Sequence, residues 1–242
     1  MSERWPARSR MFGLDPEGSR HRSIGRMNSS VGAAFGRKGQ GSLVENIRAD
    51  VARFREEDSS LRTLIRGVCS QGFQALLVYR LFRWCHERRI PTQPMRFFAE
   101  RAIEIMTGIS IPVQARIGKG FRIHHFGGII LHPETEMGDY CTLYHGVTLG
   151  DLGGRGGAPR VGNRVLIGAG AKILGRVEVG DDCTIGANAV VLQSVPSGYL
   201  AVGVPATIRP TQPRRNSSST GVEMAAGFRL SKVDRGSTRP GA

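Results

Sequence analysis

Four of the six histidines of this 242-residue chain lie in one short stretch, at His124, His125, His132 and His145. Two kinds of chemistry fit such a cluster, metal ligation and proton transfer. A zinc site needs three or four ligands, and no pair of these histidines has a spacing that is diagnostic of zinc. The alternative is one histidine that acts as a general base near neutral pH. We therefore expect a catalytic histidine and no metal.

The elements that hold these histidines follow a six-residue repeat between Ile111 and Val195. A large aliphatic side chain recurs at Ile111, Ile117, Ile123, Ile129, Met137, Leu143, Leu149, Val161, Ile167, Ile173, Val179, Ile185 and Val191. Helices repeat apolar residues every three to four positions and strands every two, so this period fits neither as a long element. It predicts short strands joined by tight corners, which bury their apolar faces by stacking as a parallel β-helix. The spacing does not give the hand of the coil, and parallel crossovers are usually right-handed.

Two details of the repeat bear on function. The adjacent His124 and His125 are not expected to share one site, because successive strand residues point to opposite faces of a sheet. The only large interruption is the glycine-rich stretch from Asp151 to Arg160. Insertions of this kind project from one face of a solenoid and usually carry function.

Helical patterns precede the repeat. Ser42 and Glu45 form a capping box at the head of the first of four amphipathic helices. The apolar face of the fourth helix consists of Met95, Phe98, Ala102, Ile105 and Met106. Such a helical bundle either caps the open end of the solenoid or serves as a platform for another subunit. The predicted organisation is a disordered basic tail (1–41), a helical domain (42–108), the β-helix (109–208) and a second disordered tail (209–242).

Composition narrows the class of protein. The net charge is +14, and much of the excess lies in the two tails. Because the arginines are not interleaved with a regular series of aromatic residues such as a stacking platform needs, we do not expect nucleic-acid binding. No run of apolar residues is long enough to span a membrane, and the amino terminus lacks the apolar core of a signal peptide. The four cysteines show no metal-type spacing. These features predict a reduced, cytoplasmic protein.

A set of short motifs, taken in order along residues 45–208, resembles the serine acetyltransferase family of hexapeptide-repeat acyltransferases. They are Gly108-Ile109-Ser110-Ile111, Ala115-Arg116-Ile117-Gly118-Lys119-Gly120, His125-Phe126-Gly127-Gly128, Val147-Thr148-Leu149-Gly150, Gly168-Ala169-Gly170-Ala171-Lys172-Ile173-Leu174-Gly175 and Gly203-Val204-Pro205-Ala206. The resemblance implies an α+β fold in which a short helical bundle precedes a left-handed parallel β-helix. It also implies transfer of an acetyl group from acetyl-CoA to a hydroxyl.

The same resemblance assigns roles to residues. His125 matches the catalytic histidine, which removes the proton of the acceptor hydroxyl. The segments expected beside acetyl-CoA contain the cofactor-binding residues Ala169, Gly170, Lys172, Gly203 and Pro205. For Lys172 the alternatives are a contact to a CoA phosphate and a solvated corner lysine. The family's assembly implies a homotrimer, or a dimer of trimers, with the sites between subunits.

Three departures from the family pattern concern the acceptor. Ser110 stands where the family has an aspartate paired with the catalytic histidine, and His124 replaces a second aspartate. Gly157-Ala158 replaces an Arg-His pair that holds the amino acid. Serine is a zwitterion that needs charged partners. The loss of these charged side chains therefore favours an acceptor without charge.

Three hypotheses follow for the function. The first is O-acetylation of a sugar in exopolysaccharide or saccharide biosynthesis, with His124, His145 and Asp151 binding the acceptor. The second is serine O-acetylation that forms O-acetyl-L-serine for cysteine biosynthesis. The third, from another class, is a non-catalytic β-helix scaffold.

Overall fold

A computed structural model describes residues 41–55, 60–125, 127–153 and 157–211, all within one compact unit. Most of each predicted tail lies outside the described residues. Within these residues four helices come first: α1 (Leu43–Arg55), α2 (Leu61–Val68), α3 (Gln71–Glu87) and α4 (Met95–Thr107). None of the described helices is long and apolar enough to cross a membrane.

Short polar side chains set where these helices begin, and a glycine ends the last one. The Ser42 hydroxyl accepts a hydrogen bond from the Glu45 amide at 3.2 Å, as the predicted capping box requires. Ser70 caps α3 in the same way, through the Phe73 amide at 3.3 Å. Helix α4 ends at Gly108, whose φ of +65° suits glycine at a helix C-terminus.

Fifteen short strands follow α4 in the described part of the chain. They are β1 (Ile109–Ser110), β2 (Arg116–Ile117), β3 (Arg122–His124), β4 (Ile129–Leu131), β5 (Glu136–Met137), β6 (Thr142–Tyr144), β7 (Thr148–Gly150), β8 (Arg160–Val161), β9 (Leu166–Ile167), β10 (Lys172–Leu174), β11 (Glu178–Val179), β12 (Thr184–Ile185), β13 (Val190–Val191), β14 (Tyr199–Val202) and β15 (Thr207–Pro210). The last strand continues past residue 208, where the sequence places the end of the β-helix.

The strands form three sheets that are the sides of a triangular prism. The first sheet contains β1, β4, β7, β10 and β13, and the second contains β2, β5, β8 and β11. The third contains β3, β6, β9, β12, β14 and β15. All pairings are parallel except that between β14 and β15, which closes the carboxyl-terminal end of the third sheet. Three consecutive strands therefore make one coil, and each coil stacks on the previous one.

The aliphatic register fills the interior of this prism. Ile117, Leu143 and Ile173, for example, are fully buried, as are most other members of the series. The start of the series is wrong by two residues, since Ile111 is half-buried and Ile109 takes the inward position, paired with Ile129. The reason is that the corner glycine Gly108 already begins the first coil.

Helices α1 and α3 pack on the amino-terminal end of the prism through buried polar groups. The Arg80 guanidinium on α3 donates to both carboxylate oxygens of Asp50 on α1, at 2.9 and 3.1 Å. It also donates to the carbonyls of Ile117 and Gly118 in the first coil. The Phe121 amide donates to Asp50 at 2.8 Å. These contacts satisfy main-chain groups that have no earlier coil to bond.

Candidate active site

The predicted base, His125, lies at a corner of the prism. It follows β3 directly, at the turn between the third and first sheets, and its side chain is exposed. Its backbone is left-handed, with a φ of +64°. That conformation is uncommon for residues other than glycine, and strained positions of this kind cluster at functional sites. The corner turns the imidazole outward and away from the strand that precedes it.

Aromatic rings surround this imidazole. The His145 ring meets it edge to face, with 5.7 Å between the ring centroids. The rings of His124 and Tyr144 stack on each other at 4.8 Å with an interplanar angle of 11°. The His124 and His125 centroids are 6.3 Å apart. The two rings are therefore neighbours, because His125 lies beyond the end of β3 and its side chain does not follow the alternation of that strand.

No carboxylate orients His125 in the described part of the chain. Its ring has contacts with the rings of His124, Tyr144 and His145, and none of the hydrogen bonds there joins it to Ser110. Ser110 lies in β1, where it pairs with Ile130. The His125 imidazole is therefore positioned by packing against these neighbouring rings.

The corner that carries His125 repeats in every coil and forms one edge of the prism, which we call the histidine edge. It consists of residues 125–128, 145–147, 168–171, 186–189 and 203–206, of which Phe126 lies outside the described residues. Main-chain hydrogen bonds align successive corners, from the Gly170 amide to the His145 carbonyl and from the Asn188 amide to the Ala169 carbonyl, both at 2.8 Å. Four of the predicted cofactor residues, Ala169, Gly170, Gly203 and Pro205, thus lie on the same edge as His125 and His145.

Glycines keep this edge narrow. A Cβ atom on Gly146 would lie 3.3 Å from the Cα of Gly170, and one on Gly128 would lie 3.2 Å from the Cα of Gly146. Both glycines have positive φ values, which other residues rarely adopt. The result is a strip of bare backbone, running away from His125, that an extended ligand can approach closely.

Lys172 lies just after this edge, as the first residue of β10. Its ammonium group donates to the Gly146 carbonyl at 2.6 Å and to the Thr148 hydroxyl at 2.9 Å. The side chain is half-buried and points back along the prism toward the corner of His145. With these two hydrogen bonds Lys172 stabilises that corner. Two of the three N–H donors of its ammonium group are therefore already used within the chain.

The structure does not bring Asp151 to the histidines. His145 precedes β7 and Asp151 follows it, so the two residues lie at opposite ends of one strand and on different edges of the prism. Gly157 and Ala158, at the end of the glycine-rich insertion, lie on the edge of Asp151. They line a cleft of about 360 Å³ with Arg116, Arg160 and other residues. His132, which follows β4, lies there too.

One member of the edge was missed in the sequence. Asn188 occupies the position where earlier coils have Gly146 and Gly170, and it adopts the same left-handed conformation, with a φ of +56°. Asparagine tolerates that conformation better than most residues. The signal was present, because Asn188 falls in the glycine position of its hexad.

Taken together, these groups can carry out proton transfer beside an extended ligand. An exposed imidazole is available as a base, aromatic rings flank it, and a glycine-lined strip leads away from it. In the described residues no group of three or more His, Cys, Asp or Glu side chains is arranged to hold a metal ion.

Comparisons with known proteins indicate the family to which this chain is related. The model of the family described as bacterial transferase hexapeptide (six repeats) matches residues 158–193. A serine acetyltransferase of Mycobacterium tuberculosis is 41% identical over 172 residues, which are 69% of this chain and 73% of the relative. One from Helicobacter pylori is 48% identical over 141 residues, 56% of this chain and 79% of the relative.

A solved structure agrees with these relatives. The serine acetyltransferase of Brucella abortus strain S19 in complex with coenzyme A superposes with a TM-score of 0.64 at 31% identity, covering 70% of this chain and 68% of that one. The predicted fold class, a short helical bundle before a left-handed parallel β-helix of hexapeptide repeats, is confirmed. The predicted enzyme class, an acyltransferase, is confirmed as well. On this evidence the chain belongs to the serine acetyltransferase family.

Proposed function

We propose that this protein transfers the acetyl group of acetyl-CoA to the hydroxyl of L-serine and releases O-acetyl-L-serine and CoA. The observation that carries the proposal is the exposed His125 imidazole at the head of a glycine-lined edge. The relatives support L-serine as the acceptor, since they are named serine acetyltransferases. Their names favour L-serine over the saccharide that the departures from the family pattern suggest.

In the proposed mechanism His125 accepts the hydroxyl proton while the serine oxygen attacks the thioester carbonyl carbon. As the new carbon–oxygen ester bond forms, the carbon–sulfur bond breaks. His125 then returns the proton to the departing sulfur, so the residue ends in its starting state. A thioester is already activated, so the main tasks of the protein are to position the two substrates and to supply this base.

The histidine edge is the proposed binding strip for the pantetheine arm. Gly146 and Gly170 let the arm lie against the backbone, and Ala169, Gly203 and Pro205 continue the strip along the prism. We assign Lys172 to the support of this strip, because its ammonium holds the Gly146 carbonyl. His125 and His145 are exposed on the single chain. We therefore propose that a neighbouring copy in a homotrimer closes the groove beside them.

A saccharide remains the second candidate acceptor, and one observation favours it. The described side chains in ring contact with His125 are those of His124, Tyr144 and His145, and none of the three is a carboxylate that could receive an amino group. A sugar hydroxyl asks for hydrogen bonds, which these rings can supply. In either case His124 and His145 are the proposed acceptor contacts. Asp151 is assigned to the acceptor only if a neighbouring copy brings it to this edge.

The test is thiol release from acetyl-CoA with L-serine, and separately with a panel of nucleotide sugars and oligosaccharides. Turnover with L-serine alone supports the proposal, and turnover with sugars alone replaces it by the second candidate. His145→Ala should raise the KM for the acceptor. His132→Ala is the matched control, because His132 lies on another edge, where its Nδ1 accepts the Glu134 amide at 3.2 Å. An absence of both acetyl-CoA binding and hydrolysis would leave the scaffold hypothesis.

A further inference from the structure

The corners that form the histidine edge do not match the charges of L-serine, because they contain no arginine, lysine, aspartate or glutamate. Lys172 lies beside this edge, and its ammonium already donates to the Gly146 carbonyl and the Thr148 hydroxyl. A free amino acid carries a carboxylate and an ammonium, and both need charged or hydrogen-bonding partners when they leave water. These partners must come from another part of the molecule.

A cleft on the edge that carries Asp151 holds charges of both signs. Its volume is about 360 Å³, and its charged lining residues are Arg116, Glu134, Glu136, Arg160 and Arg176. We call it the arginine cleft. Its size lies within the range of small-molecule sites, about 300–1,000 Å³. Glu136 pairs with Arg116 at 3.2 Å and with Arg160 at 3.5 Å, so these three side chains bind one another.

The other two charges of the arginine cleft, those of Arg176 and Glu134, are unpaired within the described part of the chain. Both side chains are exposed, and neither the guanidinium nor the carboxylate has an ion pair or a hydrogen bond to another described residue. A Cβ atom on Gly157 would lie 3.0 Å from the Cβ of Arg176, so the end of the glycine-rich insertion packs on the stem of this arginine. The cleft thus presents one charge for each of the two charges of an amino acid.

The arginine cleft and the histidine edge lie on different edges of one prism, so a single chain does not bring them together. In a cyclic trimer each contact joins two different surfaces of neighbouring copies. In the proposed homotrimer the histidine edge of one copy is therefore closed by one of the other two edges of the next copy.

The third edge of the prism, at the turns between the second and third sheets, has its polar groups engaged within the chain. Asn163 accepts a hydrogen bond from the Asp139 amide at 2.9 Å, and Asp181 accepts one from the Asn163 amide at 2.7 Å. Arg164 donates to both carboxylate oxygens of Asp182 at 2.7 Å. The arginine cleft is therefore the better match for a charged ligand.

We propose that the arginine cleft of one copy binds the charged end of the L-serine that is acetylated at the histidine edge of the next copy. Arg176 holds the carboxylate and Glu134 holds the ammonium, while the hydroxyl points toward His125. The inference rests on the proposed function, because it concerns the acceptor of that reaction. It accounts for recognition of an amino acid by a chain whose histidine edge carries no complementary charge.

Steady-state kinetics with matched acceptors test the two contacts. L-serinamide lacks the carboxylate of L-serine, and 3-hydroxypropanoate lacks its ammonium; each is measured as an acceptor or, where turnover is slow, as a competitive inhibitor. Arg176→Met should raise the KM for L-serine by about 10–100-fold, through loss of a charge-assisted hydrogen bond, and should change the constant for L-serinamide by less than about twofold. Glu134→Gln should weaken L-serine and leave 3-hydroxypropanoate unchanged. Arg164→Met, at an exposed arginine of the third edge, is the matched control and should leave every constant unchanged.

The outcomes separate this inference from the proposed function. An equal rise for L-serine and L-serinamide in Arg176→Met would make Arg176 a support of the insertion and overturn the inference. An unchanged KM for L-serine in Arg176→Met, or a rise caused by Arg155→Met in its place, would overturn it as well. A wild type that does not acetylate L-serine would overturn the proposed function itself, and the inference with it.

Mixed oligomers test whether the two parts of the site come from different copies. When His125→Asn and Arg176→Met chains are co-expressed in equal amounts, random mixing gives about one quarter of the sites an intact His125 and an intact Arg176 from neighbouring copies. At low L-serine the mixture should therefore reach about one quarter of wild-type turnover, above either variant alone. Turnover no higher than the mean of the two variants would overturn the inference.

Discussion

The buried pair between Arg80 and Asp50 offers a quantitative test of how helices α1 and α3 are joined to the β-helix. Arg80 is 3% exposed and Asp50 is 1% exposed, and the arginine makes four hydrogen bonds at this junction. Arg80→Met removes all four and leaves a buried carboxylate with the Phe121 amide as its hydrogen-bond donor. Loss of one partner of a buried ion pair costs about 3–5 kcal/mol.

The expected loss is large against an unfolding free energy of about 5–15 kcal/mol for a typical domain. With a urea m-value of about 2 kcal/mol per molar, a loss of about 4 kcal/mol lowers the unfolding midpoint by about 2 M. Circular dichroism and the fluorescence of Trp84 on α3 would report the transition, at one protein concentration because association adds stability. The matched control is Arg116→Met, which removes one exposed ion pair to Glu136 and should cost less than about 1 kcal/mol.

The double variant Asp50→Leu/Arg80→Met sharpens the test. Because it removes both charges, it should be more stable than Arg80→Met alone, although it carries one more substitution. Non-additivity of this sign reports direct coupling between the two residues. A loss below about 1 kcal/mol for Arg80→Met, or a double variant less stable than both single variants, would refute this account of the junction.

The pH dependence of the Arg80→Met penalty has a definite sign. Burial raises the pKa of Asp50, and the Arg80 guanidinium opposes that rise. Without Arg80 the folded-state pKa lies further above the unfolded value of about 3.9, so the folded protein holds the Asp50 proton more tightly than the unfolded chain does. The stability from that proton is present at low pH and is lost as pH rises through the folded-state pKa. The penalty should therefore be smaller at about pH 5 than at about pH 8.

Two further predictions concern a cysteine in the interior of the prism and Lys172 beside the histidine edge. Burial raises the pKa of the Cys141 thiol to about 12. At pH 8 an alkylating reagent should therefore label the exposed Cys69 and leave Cys141 unmodified until the protein is denatured. Rapid labelling of Cys141 in the native protein would contradict its buried position. Lys172→Met should lower the unfolding free energy by about 1–2 kcal/mol, through loss of its bonds to Gly146 and Thr148. A large rise in the KM for acetyl-CoA without loss of stability would instead identify Lys172 as a phosphate contact.

The sequence was sufficient for the β-helix because its signal is repeated in every coil. Each hexad places one aliphatic residue inward, so an error at one position, as at Ile111, leaves the register of the remaining coils intact. The hand of the coil came from resemblance, since the spacing of inward residues is the same for either hand.

The contacts between helices, strands and corners could not be predicted from a repeated sequence pattern. Asp50 and Arg80 are ordinary surface residue types in a helical pattern, and only the packing of α1 and α3 on the first coil makes them a buried pair. The approach of His124 to His125 was missed because alternation applies within a strand and His125 has left it. Asp151 is grouped with His145 in the sequence analysis as a hydrogen-bonding contact to the acceptor, although strand β7 lies between them and carries them to different edges.

The central claim is that His125 is the base for acetyl transfer to L-serine, and one substitution tests it most directly. His125→Asn keeps a residue that tolerates the left-handed backbone at this corner and removes the imidazole. We expect an unchanged unfolding midpoint, an acetyl-CoA affinity within about threefold of wild type, and a kcat with L-serine reduced by about 10²–10⁴-fold. A variant that folds, binds acetyl-CoA and retains wild-type turnover with L-serine would contradict the account.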